Sequence, residues 1–164
     1  MKLIVFVLLL GLAIGGCVNT KRLVIEGAYV TAVMNTGQPV SDIKTADLTD
    51  DELLTLTHAI AGYNTFVDKW DNPLSAFKNN QLTLIGDFNV LKDNYNDVYL
   101  IVVANWDEYG VEEQRNFLEW HEHAKEIDAI FNNAITSQKY LQAAEKAIEY
   151  AGIAVGLFVR AATR

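Results

Sequence analysis

The stretch Glu119-Trp120-His121-Glu122-His123-Ala124-Lys125-Glu126-Ile127-Asp128 sets two of the chain's 3 histidines among acids. Imidazole and carboxylate are the groups that metal coordination and general acid–base steps share. Their spacing decides what they can do together. At about 100° per residue, His121 and His123 lie roughly 200° apart on a helix and cannot reach one ion from that helix. Glu119, His123 and Glu126 do fall along a single flank, and that flank holds a metal only if another helix completes the set.

Bundles with carboxylate-bound metal pairs take Glu-x-x-His from two helices. Three residues after Glu119 stands Glu122 rather than a histidine, and no second copy of the pattern occurs. The acids and histidines therefore read as solvated rims of an apolar face, and His58 falls opposite the apolar face of its own segment. A calcium loop needs oxygen donors at alternate positions followed by glycine. The run Asp93-Asn94-Tyr95-Asn96-Asp97-Val98 puts a tyrosine and a valine where a ligand and that glycine belong. Glycine-rich phosphate loops and the Gly-x-Ser-x-Gly elbow are missing from the sequence. No enzymatic activity and no cofactor are expected.

The remaining reactive side chain is the single cysteine, Cys17. Before it come Met1-Lys2, an uncharged run from Leu3 to Ile14, and the small pair Gly15-Gly16. A charge, an apolar core and small residues before a cut form the layout of an export signal. As a helix such a core spans about 18 Å, short of the roughly 30 Å hydrocarbon layer, so it is not a transmembrane anchor. The quartet Ile14-Gly15-Gly16-Cys17 resembles the lipobox of bacterial or phage-encoded lipoproteins. The likeness covers the first 17 or so positions and says nothing of the domain beyond.

The resemblance implies cleavage between Gly16 and Cys17, a diacylglycerol on the Cys17 sulfur, and a further acyl chain such as palmitate on the new amino group. Two or more chains give stable anchoring where one is marginal. It also implies sorting: an aspartate after the cysteine favours the inner membrane in enteric lipoproteins, and Val18 at that place points to the outer membrane, periplasmic side. One lysine before the apolar run fits a Gram-negative host.

Cleavage would remove residues 1–16 and leave residues 17–164 as one periplasmic domain. With Lys2 gone, the 13 Lys+Arg fall to 12 against 21 Asp+Glu, and the formal charge moves from −8 to −9. Such a balance disfavours nucleic acid as a partner. With Cys17 acylated no thiol remains to form a disulfide, so packing must supply the stability.

Apolar residues that recur at alternating steps of three and four lie on one side of a helix. Leu53, Leu56, Ile60, Tyr63, Val67 and Trp70 keep that rhythm, with Thr49 and Glu52 at capping-box spacing ahead of them. Phe117, Trp120, Ala124, Ile127, Phe131 and Ala134 repeat it, as do Leu141, Ala144, Ile148, Ala151, Val155, Phe158 and Ala162. Between positions 81 and 104 the β-branched run Val98-Tyr99-Leu100-Ile101-Val102-Val103 admits a small hairpin and an α+β fold. The helical series Leu84, Phe88, Leu91, Tyr95, Val98 and Val102 runs through both supposed turns and is the preferred reading. The segment from Leu23 to Met34, apolar on nearly every side, reads as a buried first helix. Pro39, Pro73 and Gly110 mark breaks. The expectation is a mainly α fold, an elongated bundle of four or five helices.

On the last helix Tyr150, Ile153 and Leu157 face away from the main apolar series, and Gly152 and Gly156 permit close approach. Either the first helix covers that second face, or it is an interface for a second copy or a protein partner. Two functions follow from these residues. One is a membrane-anchored lipoprotein that acts without catalysis, as a tether, scaffold or accessory binding subunit at the cell envelope. The other is a bundle holding a metal ion or small ligand between helices.

Overall fold

The computed structural model describes residues 20–38, 44–70 and 81–163. Five α-helices run through them: α1 (Thr20–Asn35), α2 (Asp50–Trp70), α3 (Gln81–Ala104), α4 (Val111–Thr136) and α5 (Tyr140–Arg160). Short 3-10 turns at Thr45–Asp47 and Trp106–Glu108 precede α2 and α4, and no strand occurs among the described residues. The signal segment, Pro39 and Pro73 lie outside the described residues.

Local chemistry sets the helix ends. The Thr49 hydroxyl accepts from the Glu52 N–H at 3.2 Å while the Glu52 carboxylate accepts from the Thr49 N–H at 2.8 Å, the reciprocal capping box. Asp50, Asp51 and Glu52 fill the first turn of α2, and Glu112 and Glu113 that of α4, where the helix dipole favours negative charge. Gly110 caps α4 in an extended conformation. Between α4 and α5 no glycine or proline marks the stop. Instead Gln138 takes the left-handed conformation, φ 58°. The Lys139 N–H reaches the Ala134 carbonyl at 2.8 Å and the Gln138 N–H that of Ile135 at 3.0 Å, the Schellman pattern.

Residues 81–104 form one helix rather than a hairpin. The spacing explains why: Leu84, Phe88, Leu91, Tyr95, Val98 and Val102 are all at most 1 % exposed, so a single helical face buries the whole series. Strand geometry alternates faces at every residue and would have put Leu91 and Tyr95 on the face opposite to the other four.

Three of the other four helices pack on α5. Helices α2, α3 and α4 each lie against it, α2 also lies against α3, and α1 sits outside on α2. Helix α5 is lined with buried alanines, among them Ala144, Ala147, Ala151 and Ala154. A methyl side chain keeps neighbouring axes near the short end of the usual 8–10 Å separation, which is how three helices share one partner. Around this axis aromatic rings fill the wider gaps. Phe88 stacks on Phe131 with centroids 3.9 Å apart, and Tyr150 meets Phe88 and Tyr95 edge-on at 5.1 and 5.4 Å.

Helix α1 corrects the sequence reading. Tyr29 and Val33 are buried, yet Leu23, Val24 and Met34 stay 42 %, 65 % and 60 % exposed. Among the described helices the main neighbour of α1 is α2, which leaves the far side open, and a charge ties it to the loop before α2. The Arg22 guanidinium hydrogen-bonds the Leu48 carbonyl at 2.7 Å, the Thr45 carbonyl, Asp50 at 3.0 Å and Glu26 at 2.8 Å. These bonds to Glu26 and Asp50 raise the Arg22 pKa above its usual value.

Crowding at α5 makes a prediction. Ala154→Leu puts three extra carbons where the native side chain is wholly buried. It should cost about 1–3 kcal/mol in urea unfolding, as overpacked cores do, while the far-ultraviolet spectrum stays helical. A variant as stable as the parent would show that α5 has room on that side.

Candidate functional site

Three sets of residues were candidates from sequence, and the fold places each differently. Gly16 and Cys17, the expected cleavage and lipidation positions, lie outside the described residues.

The second set is Tyr150, Ile153 and Leu157. Tyr150 is 3 % and Leu157 0 % exposed, and Ile153 is half-buried. Tyr150 and Leu157 are interior packing, Tyr150 against Phe88 and Tyr95 of α3, while Ile153 stays partly exposed. Of the two glycines beside them, Gly156 is close to Trp120, whose ring carbon stands 3.4 Å from where a Cβ would be, and Gly152 faces open space. The close approach inferred at Gly156 is thus made by an indole from α4, not by a helix backbone.

The third set is the acidic flank of α4. The two histidines diverge as their spacing requires. His123 is exposed and turned to α5: its Nδ1 lies 3.6 Å from Glu126 and its Nε2 3.3 Å from Glu149. A hydrogen bond from Lys146, helped by His123, holds the Glu149 carboxyl below the usual carboxylate range. Glu119 turns instead to Arg115, 3.9 Å away, so Glu119, His123 and Glu126 do not converge. Among the described residues no three His, Cys, Asp or Glu side chains gather closely enough to hold a metal ion. Exposed pairs of this kind contribute about 0–1 kcal/mol; they decorate the surface. His58 is exposed on α2.

His121 belongs to a cluster that sequence reasoning missed. Its ring stacks on Tyr99 of α3 with centroids 3.9 Å apart and planes within 4°, and Tyr95 lies parallel beyond at 6.2 Å. Nδ1 is buried with no hydrogen-bond partner among the described residues, and the Tyr95 hydroxyl shares that condition. Burial pushes the His121 pKa down, the Lys125 charge pushes it further, and Glu122 opposes both. Burial likewise raises the Tyr95 and Tyr150 phenols. The imidazole thus serves as a flat neutral ring joining α3 to α4. Two turns along, Lys92 of α3 pairs with Asp128 of α4 at 2.7 Å, a second tie between the same helices. The spacing of Tyr95 and Tyr99, four apart on a face that also holds Val98 and Val102, was the available signal; nothing in it specified that a histidine would be the partner.

Compared with known protein families, curated proteins and solved structures, the chain matches none.

Two outcomes follow. Leu157→Asp should unfold the domain or cost several kcal/mol, the penalty of an unpaired buried charge of roughly that size; a folded variant altered only in sedimentation would restore the interface. His121 has a depressed pKa in the folded state, so the unfolded chain takes up the proton first as pH falls below about 6.5, the ordinary value. Its contribution to stability is complete above that pH and is lost between there and its lower folded pKa. His121→Phe keeps a ring on Tyr99 and removes the titration, so its melting temperature should fall less than the parent's between neutral pH and pH values near about 5. Parallel curves would mean that His121 protonates without cost.

Proposed function

We propose that the chain is a membrane-anchored lipoprotein that works by contact rather than catalysis, as a tether, scaffold or accessory binding subunit. The observation that carries this reading is the quartet Ile14-Gly15-Gly16-Cys17 at the close of an uncharged apolar run. Small side chains at 15 and 16 let the backbone enter a peptidase cleft, and the thiol that follows is the acyl acceptor. The organisation of the domain supports it. Among the described residues no helix is long and apolar enough to cross a membrane, and a doubly or triply acylated cysteine is itself a stable anchor. Several of the domain's ionisable side chains have structural roles: Glu52 caps a helix, Arg22 ties α1 to its loop, and Lys92 pairs with Asp128 across α3 and α4. With Val18 after the cysteine, the periplasmic side of the outer membrane is the proposed location.

A metabolic label tests this. A clickable fatty acid should mark the parent protein in a Gram-negative host, and Cys17→Ser should abolish the mark and shift the chain to its uncleaved, heavier form. Equal labelling of both proteins would reject lipidation at Cys17.

A further inference from the structure

Large apolar side chains are exposed on several helices, among them Leu82 and Leu100 on α3 and Leu118 on α4, but those helices also expose acids, whereas the outward face of α1 presents none. Its exposed positions include Leu23, Val24, Gly27, Ala28, Thr31 and Met34, with Lys21 at the edge. The helix holds one acid, Glu26, which is turned toward Arg22 and neutralised there at 2.8 Å. Each of the other four helices exposes carboxylates: Asp51 and Asp68 on α2, Asp93 and Asp97 on α3, Glu119 and Glu126 on α4, Glu145 and Glu149 on α5. Apolar side chains are thus offered to the outside where acid is withheld, on a chain rich in acid.

Position along the chain says what meets this face. Only Val18 and Asn19 separate Cys17 from Thr20, the first residue of α1. Three Cα–Cα steps reach at most about 11 Å. A lipid on Cys17 therefore keeps the start of α1 within that distance of the bilayer surface, and the helix axis extends about 24 Å from there. Phospholipid surfaces repel carboxylates and accept apolar side chains and lysines.

We propose that α1 lies along the phospholipid surface with Leu23, Val24 and Met34 against the acyl boundary, so that the lipid and the helix dock the domain in one orientation. The inference rests on the anchor reading and adds to it a second membrane contact. Arg22 serves this arrangement from behind: by engaging Leu48, Thr45 and Asp50 it turns its charge inward, away from the lipid.

The test uses the full chain, lipidated in cells and reconstituted into phosphatidylethanolamine–phosphatidylglycerol vesicles. With Cys17 acylated, Val24→Cys provides the single thiol for a nitrobenzoxadiazole label, and Leu100→Cys, on the exposed side of α3, provides the comparison. Spin-labelled lipid should quench the label at position 24 several-fold more than that at position 100, and adding Leu23→Glu should remove the difference. Equal quenching in protein that carries the fatty-acid mark overturns α1 docking and leaves the anchor standing. A blue-shifted label at position 24 that lipid does not quench, with crosslinked dimers, assigns the face to a second copy and overturns the proposal. Absence of the fatty-acid mark removes the anchor and this inference with it.

Discussion

Everything in this bundle depends on α5 having almost no side to spare. A helix that touches three others cannot carry large side chains all round, because each added methylene moves a neighbour outward and opens a gap elsewhere. Alanine limits the bulk on α5, whose buried side chains include Ala143, Ala144, Ala147, Ala151 and Ala154 beside Tyr150, Leu157 and Phe158. Larger rings meet where α3, α4 and α5 come together, Phe88 on Phe131 and Tyr150 edge-on to Phe88. Such ring pairs contribute about 0.5–1.5 kcal/mol beyond the area they bury.

Outside this centre, polar groups hold the ends together. The Tyr109 hydroxyl donates to the Ala161 carbonyl at 2.9 Å, and the Lys44 N–H reaches the Ala162 carbonyl at 3.0 Å. The loop before α2 and the turn before α4 are both fastened to the far end of α5. At the opposite side of the fold, the Trp70 indole donates to Asp87 at 2.8 Å and Lys69 pairs with the same carboxylate at 2.6 Å, linking the last turn of α2 to α3. These contacts satisfy groups that burial would otherwise leave costly.

Much of this could be read from periodicity, because a helix that buries one stripe must repeat apolar residues at three and four. The six residues from Leu84 to Val102 outweighed the β-branched run and the asparagines around them, and the capping box gave the start of α2 at Thr49. What the stripe does not contain is neighbour identity. Leu23 to Met34 reads as buried because it is apolar on several sides, yet burial needs partners on those sides, and among the described helices α1 packs chiefly on α2. The second face of α5 was visible at Tyr150 and Leu157, but whether α1, a copy of the chain or α2 and α3 would cover it depends on tertiary order. The stop at Gln138 left no signal, since its left-handed backbone is held by hydrogen bonds from Gln138 and Lys139 and not by residue type. Divergence of His121 and His123 followed from angle alone; the Tyr99 stack did not.

The order of the helices along the chain has a further consequence. The helix on which α2, α3 and α4 all lean comes last of the five, so a ribosome releases four amphipathic segments before their common support exists. Until α5 emerges, α1 can pack on α2 and α2 on α3, but the faces that α2, α3 and α4 share with α5 stay open.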